Sequence, residues 1–403
     1  MNGRRVFFVN RFYWPDEPAT AQLLTDLASA LAAGGQAVTV IASHSADAAT
    51  PRRETHNGVV IERVRTTQLG RRSLAGRALD FATFYPGAVC RLLRLARRGD
   101  VVVALTDPPF IGIFCWLAAR VRGARIVHWV QDIYPEIAAE LTGQRWLLVL
   151  RPLRNLAWRR ADACVVVGAD MARSVTAAGI GAAKTVVAAN WAPAGLAPPS
   201  ADDMAALRAE WGLGEKFVVA YSGNLGRVHY LDPLLEVAAA LRADPDFIFI
   251  FIGNGARRTA LEATAKTRAL ANVRFFPPQP RHRLAATLGV AEVHFVTLQP
   301  GADRWVFPSK LYGIAAVGRP VIFVGSRDCE LARLVAGQGF GAAFAGDDTA
   351  SIVATLRLLR ADPIHREAMG SAALDFAAGG AAAAVKIWTK LLAVELARAA
   401  PAS

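Results

Sequence analysis

The chain has 403 residues, 53% of them hydrophobic, and carries a formal net charge of +13. That length suits two or three domains of roughly 150 residues each. Its longest uncharged apolar run, Pro109 to Ala119, is well short of the roughly 20 residues that a membrane span needs, and the opening Val6-Phe7-Phe8-Val9 is broken at once by Asn10 and Arg11, so it reads as a first strand and not as a signal peptide.

The charge is uneven. Residues 1–195 hold 24 Lys+Arg against 14 Asp+Glu, and residues 196–403 hold 22 against 19. Arg71 to Arg98 alone contains seven arginines and one acid, Asp80. Such a patch attracts nucleic acid, anionic lipid or a phosphorylated substrate. The four cysteines, Cys90, Cys115, Cys164 and Cys329, are far apart with no C-x-x-C pair. They read as reduced, buried thiols, and no metal site is expected.

Short apolar runs alternate with helical patterns in chain order. Predicted strands are Val6–Asn10, Val38–Ala42, Val59–Arg65, Val101–Leu105, Ile126–Val130, Ala163–Val167 and Thr185–Ala188. Predicted helices between them are Ala19–Ala33, Arg77–Arg97, Ile111–Arg120, Trp146–Arg160 and Met171–Ala178. A Pro/Gly/Ala-rich stretch, Ala192 to Ser200, reads as a linker. Alternation then restarts with strands at Phe217–Tyr221, Phe247–Ile252, Val273–Phe276, Val293–Val296, Val321–Val324 and Gly341–Phe344. Helices are expected near Asp232–Leu241, Arg257–Ala269, Arg281–Leu288, Ser309–Val317, Glu330–Ala336 and Thr349–Arg360. The expectation is therefore an α/β chain of two doubly wound parallel-sheet domains, residues 1–192 and 200–378, facing a central cleft. A final helix within 380–403, with Ile387, Trp388, Leu391, Leu392 and Leu396 at helical spacing, is expected to return to the first domain.

Polar residues at the carboxyl ends of such strands are candidates for ligand contact. Ser222-Gly223-Asn224-Leu225-Gly226-Arg227-Val228-His229 follows one strand. Its glycines permit close backbone approach to a phosphate, and Asn224, Arg227 and His229 supply donors. Pro308-Ser309-Lys310-Leu311-Tyr312-Gly313 reads as a helix start with Ser309 as N-cap and Lys310 adding a full positive charge, an arrangement suited to a diphosphate. Gly253-Asn254-Gly255 and Gln279 also follow strands; half a dinucleotide fingerprint without an acid at the right distance is a weak signal, and a tight turn is the alternative. In the first half, Gln131-Asp132-Ile133-Tyr134-Pro135-Glu136 ends a strand. Asp132 and Glu136 are candidates to orient an acceptor hydroxyl or act as a base, or to cap a turn and lie in solvent. Thr106 and Asp107 end the preceding strand. The arginines and aromatics between Arg77 and Arg98, extended by Trp146, Leu147, Leu148 and Leu150, suit an anionic membrane surface or a half-buried helix with a solvated basic face.

Together these motifs resemble bacterial GT-B glycosyltransferases of family 4, in the branch used for colanic-acid-type exopolysaccharide and O-antigen assembly. The resemblance implies two Rossmann-like domains, an acceptor-binding first domain and a nucleotide-sugar-binding second one. It implies a retaining, metal-independent transfer of a hexosyl unit from a nucleotide diphosphate sugar to a lipid-linked or other glycan acceptor. No cofactor is implied beyond that donor. Its motif positions suggest Asn224, Arg227, His229, Ser309 and Lys310 around the diphosphate, with Gln131 and Asp132 at acceptor-side or donor-sugar contacts; Gly223, Gly253 and Gln279 are candidate donor contacts from their own places after strands. Where many members carry two glutamates, this chain has Trp305 and Gly313, and Glu330 is the candidate to replace the ribose contact. An Asp-Pro-Asp at Asp244 to Asp246 precedes a strand, the wrong end for the metal-binding motif of other sugar transferases. The expected location is cytoplasmic, on the inner face of the cytoplasmic membrane, with no nucleic-acid partner. A sugar-nucleotide 2-epimerase and a non-catalytic partner subunit of a polysaccharide complex are the alternatives.

Overall fold

A computed structural model describes residues 3–44, 50–69 and 74–398. Arg71, Arg72 and residues 399–403 of the expectations above lie outside the described residues. The chain divides into two compact units, Met1–Asn190 with Ala381–Ser403, and Trp191–Gly380.

The first unit is built on eight strands: β1 (Arg5–Val9), β2 (Ala37–Ser43), β3 (Arg53–His56), β4 (Val59–Val64), β5 (Val101–Ala104), β6 (Arg125–Val130), β7 (Ala163–Val166) and β8 (Thr185–Val187). Their order across the sheet is β3-β4-β2-β1-β5-β6-β7-β8. Every pairing is parallel except β3 with β4. β3 was not expected, because Arg-Glu-Thr-His has no apolar run. The signal for it is Asn57-Gly58, whose φ angles are 48° and 76°, the two-residue turn that twists correctly for a hairpin. The helix expected over Trp146–Arg160 is a 3-10 turn, Arg145–Leu150, followed by an α-helix, Arg151–Arg159. Proline at position 152 fits the first turn of that second segment. Of the cysteines, Cys115, Cys164 and Cys329 are buried, but Cys90 is exposed, which corrects the expectation for that thiol.

The second unit has six parallel strands: β9 (Phe217–Ser222), β10 (Phe247–Ile252), β11 (Val273–Phe276), β12 (Val293–Thr297), β13 (Val321–Val324) and β14 (Gly341–Phe344). They run in the order β11-β10-β9-β12-β13-β14. β10 shows why this sheet has a covered layer on both faces. Its Phe247, Phe249 and Phe251 enter one core cluster, and Ile248, Ile250 and Ile252 enter the other. Successive side chains point to opposite faces, so a six-residue run alternating Phe and Ile is buried on both sides. Two helices, Ala201–Glu210 and Pro363–Ala377, were not expected. The first opens on a capping signal: the Ser200 hydroxyl accepts from the Asp203 N–H at 3.1 Å.

Within Pro363–Arg398 an 18-residue window, with a mean hydropathy of 1.3, is apolar enough to cross a membrane by length and composition. The segment is nonetheless two helices, interrupted at Gly379 (φ 73°). The second, Gly380–Arg398, packs on the first unit. Its Trp388 is fully buried, with ring centroids 4.9 Å from Trp129 and 6.2 Å from Phe8. Glu395 accepts from Arg125 at 2.6 Å. Replacing Trp388 with Ala removes the largest apolar contact of this helix. It should lower the unfolding free energy of the first unit by about 3–5 kcal/mol, read from urea denaturation followed by a probe in that unit.

Candidate functional site

In a parallel sheet the loops after all strands emerge at one end. In the second unit this places Ser222–Tyr230 after β9 beside Gly253–Arg257 after β10. The two loops meet backbone to backbone. The Gly223 N–H donates to the Ile252 carbonyl, and Leu225 N–H to Asn254 carbonyl, both at 2.9 Å. Gly253 has φ 138°, and a Cβ on it would sit 2.0 Å from the Gly223 oxygen. A Cβ on Gly255 would meet Leu225 carbonyl atoms at 2.5 Å. Gly253 is therefore glycine because the adjacent loop occupies the space of its side chain, the tight turn that the sequence allowed. Gly223 is different. At φ 129°, its missing Cβ leaves room for the Lys310 ammonium, which would lie 3.2 Å from it.

Lys310 opens the helix Lys310–Ala316. Its ammonium lies 3.8 Å from the centre of the Tyr221 ring and donates to the Tyr221 hydroxyl at 2.5 Å. The same hydroxyl donates to the Asn224 carbonyl at 2.8 Å. Burial lowers the Lys310 pKa to about 7, because leaving water disfavours the charged form. His229 is buried, and its Nδ1 lies 2.8 Å from the Thr297 carbonyl. Burial first and Lys310 second push its pKa down to about 3, so the ring is neutral at physiological pH. A carbonyl can only accept, so Nδ1 carries the proton and Nε2 is left as an acceptor. His229 thus fits a hydroxyl donor and not, as expected from the sequence, a phosphate oxygen. Arg227 and Asn224 are exposed on the same loop.

Three other candidates are placed as follows. Ser309 stands at the N-cap position of the helix Lys310–Ala316, as the sequence suggested, but its backbone is already helical and its hydroxyl makes no capping bond. Gln279 follows β11, on the far side of β10 from β9, and its amide donates to the Pro277 carbonyl at 3.0 Å. Glu330 opens a helix after β13, on the opposite side of β9 from Gln279. The structure gathers Gly223, Asn224, His229 and Lys310, and leaves Gln279 and Glu330 toward the two flanks. Gly313 lies inside the helix begun by Lys310, where a Cβ would meet Leu288 and Leu196 at 3.5 and 3.6 Å. Tyr221 was missed in the sequence. A tyrosine at the end of an apolar strand carries no local signal that its hydroxyl will meet a lysine 89 residues away.

In the first unit, the loops after β5 and β6 bring Thr106, Asp107, Asp132 and Tyr134 together. The Asp132 N–H donates to the Thr106 hydroxyl at 3.3 Å, and Asp107 pairs with Arg11 at 3.2 Å. Asp132 lines a small pocket with Thr106, His128, Tyr134 and Arg154. Burial, reinforced by the nearby charge of Asp107, raises the Asp132 pKa to about 7. Glu136 has the opposite surroundings. It is buried and takes Arg154 in a two-pronged pair at 3.0 and 3.1 Å, with Arg151 at 2.9 Å. That carboxylate is committed to two guanidiniums and clamps the helix Arg151–Arg159 to the loop, which corrects its assignment as a base. Gln131 is likewise buried in a reciprocal amide pair with Asn190, at 3.0 Å each way.

A family model described as a glycosyl transferase 4-like domain matches residues 20–191, and one for glycosyl transferases group 1 matches residues 203–376. The chain belongs to family 4 of the GT-B glycosyltransferases. It is 28% identical over 267 residues to WcaI of Escherichia coli (strain K12), named as a colanic acid biosynthesis glycosyl transferase, covering 64% of this chain and 65% of that one. It is 28% identical over 257 residues to the Pseudomonas aeruginosa protein WbjE, named as a glycosyltransferase, covering 62% and 64%. The aligned region thus spans just under two thirds of either relative. Among solved structures it is similar to Anabaena HepE in complex with UDP-glucose, with a TM-score of 0.73 and 17% identity over 98% of this chain and 99% of that one.

In this family 4 chain the Asp132 geometry has a measurable consequence. With a pKa raised from 3.8 to about 7, the folded state holds the Asp132 proton more tightly than the unfolded chain. Ionisation therefore costs stability as pH rises from about 4, and the cost is complete above about 7. Asp132→Asn should raise the melting temperature at about pH 8 and leave it unchanged near pH 4, as read by differential scanning calorimetry.

Proposed function

We propose that this protein transfers a hexosyl unit from a nucleotide diphosphate sugar to a glycan acceptor, lipid-linked, in cell-surface polysaccharide assembly. The observation that carries this reading is the Lys310 ammonium packed against the Gly223 backbone, beside Asn224 and on the same loop as Arg227. A cation held at a glycine-lined strand end suits the diphosphate of a donor. The UDP-glucose bound by the similar HepE structure supports this donor class. As the bond from the anomeric carbon to the diphosphate breaks, negative charge grows on the departing phosphate oxygen. Lys310 and Arg227 oppose that charge, so they stabilise the transition state more than the ground state. The His229 Nε2 accepts from a hydroxyl of the donor. In the first unit Asp132, which lines a pocket with Thr106 and Tyr134, binds a hydroxyl of the acceptor. Retention at the anomeric carbon and independence of metal belong to the same proposal. Among the described residues no three His, Cys, Asp or Glu side chains are grouped to hold a metal ion.

Lys310→Ala combined with Arg227→Ala should abolish thermal stabilisation by UDP- and GDP-sugars and lower kcat/KM by about 10²–10³-fold. Unchanged donor affinity and turnover in the double variant would sink the assignment.

The acceptor side is read from the surface of the first unit. Three helical segments pack side by side on one face of its sheet: Leu74–Leu95, Ile111–Arg122, and the 3-10 turn with its following helix, Arg145–Arg159. They expose Leu79, Leu117, Val121, Trp146, Val149 and Leu153, with Val121 and Val149 more than 70% exposed. Their one acid, Asp80, is buried, whereas Arg77, Arg94, Arg120, Arg122 and Arg145 are exposed. Apolar side chains among arginines without exposed acids suit the interface of an anionic bilayer, where a lipid-linked acceptor resides. This surface supports the reading of a protein that works on the inner face of the cytoplasmic membrane. The protein should co-float with phosphatidylglycerol-containing vesicles at low salt, and Trp146→Ser with Val149→Ser should reduce the floating fraction without changing the melting temperature.

A further inference from the structure

We propose that Tyr221 is a positioning residue for donor binding: its ring and hydroxyl together hold the Lys310 ammonium against the Gly223 backbone, and its second hydrogen bond fixes Asn224 to the same construction. This rests on the reading of Lys310 as a diphosphate contact. Packing alone does not require a tyrosine here. The same core cluster is filled from the neighbouring strand by Phe247, Phe249 and Phe251. Tyr221 sits one residue from the end of β9, so its hydroxyl reaches the loop, where it finds a polar partner on each side: it donates to the Asn224 carbonyl and accepts from Lys310. The ring adds a cation–π contact at 3.8 Å. These two contacts replace part of the hydration that Lys310 loses on burial.

The titratable groups around Lys310 are Tyr221 on β9, His229 on the following loop and His294 on β12. Burial keeps the tyrosine protonated and holds the two imidazoles neutral, at about 3 and about 4. Lys310, at about 7, is the group of this set that titrates near neutrality. Its charged form is lost as pH rises through about 7. A bound diphosphate favours the charged form, so binding takes up a proton above that pH and affinity falls as pH rises further. Removing the hydroxyl withdraws an acceptor that the charged form uses more strongly than the neutral amine does, so the fall should begin at lower pH.

The test is calorimetric titration of UDP-glucose, with GDP-mannose in parallel, from about pH 6 to about pH 9 on wild type, Tyr221→Phe and Lys310→Met, with melting curves for each; unlike free UDP or GDP, these diesters have no phosphate group that titrates at about pH 6. Wild type should bind with constant affinity at the acid end and weaken above about pH 7. Tyr221→Phe should bind about tenfold more weakly at neutral pH, the loss of one hydrogen bond to a charged group, and its decline should start at lower pH. Lys310→Met should bind weakest, with no pH dependence over this range. A Tyr221→Phe profile that superimposes on wild type, while Lys310→Met is impaired, overturns the positioning role and leaves the donor site standing. Wild-type binding by Lys310→Met, or no binding of either nucleotide sugar to wild type, overturns the donor reading and the proposal with it. If Tyr221→Phe does not fold, the NMR titration of the Lys310 side chain in wild type decides. Nuclear Overhauser contacts from the Lys310 Hε protons to the Tyr221 ring that persist through the titration and in the presence of nucleotide sugar support the proposal, and their absence overturns it.

Discussion

An ammonium taken half out of water must be given something in return, and the second unit is arranged around that requirement. Lys310 receives a ring face, a phenolic oxygen and a glycine backbone with no side chain in the way. None of these is an anion. The charge is therefore only partly compensated, which is why its pKa falls to about 7. A carboxylate in the same place would hold the lysine as a firm ion pair and leave little for a ligand to gain. Partial compensation keeps the cation in place and still leaves most of the electrostatic gain to an incoming anion.

The glycines around it divide the work. Gly223 yields space to Lys310, whereas Gly253 and Gly255 yield space to the loop that carries Gly223 and Leu225. The backbone hydrogen bonds between the two loops fix the first against the second. Rigid placement of Asn224 is therefore inherited from strand pairing of β9 with β10, whose register is set by two buried faces of different side chains.

The first unit shows how environment separates chemically similar groups. Asp132 and Glu136 leave the same strand four residues apart. Glu136 opens a helix and meets Arg154 and Arg151, so it serves as a structural clamp. Asp132 faces a pocket with another acid nearby and, among the described residues, no arginine paired to it, so its proton is held to near-neutral pH. Burying a carboxylate either demands a cation or raises the pKa, and the two residues take the two courses.

The linear pattern alone determined the parallel architecture of both units. Continuous apolar runs of strand length alternating with amphipathic helices admit few other arrangements, and the polar residues that follow β6, β9 and β12 are visible in the sequence as clusters after those runs. It also contained the Asn57-Gly58 and Ser200-Ala201-Asp202-Asp203 signals, which were overlooked because they flank stretches with weak hydrophobic periodicity. What only the tertiary structure decided is the chemical state of each polar group. Whether Glu136 is a base or a clamp depends on arginines 15 and 18 residues later, and whether Lys310 is an ordinary surface lysine depends on a tyrosine 89 residues earlier. Secondary structure is encoded by near neighbours along the chain, but a side chain's pKa and free lone pairs are set by whatever packs against it in space, and in a doubly wound sheet those partners come from distant strands.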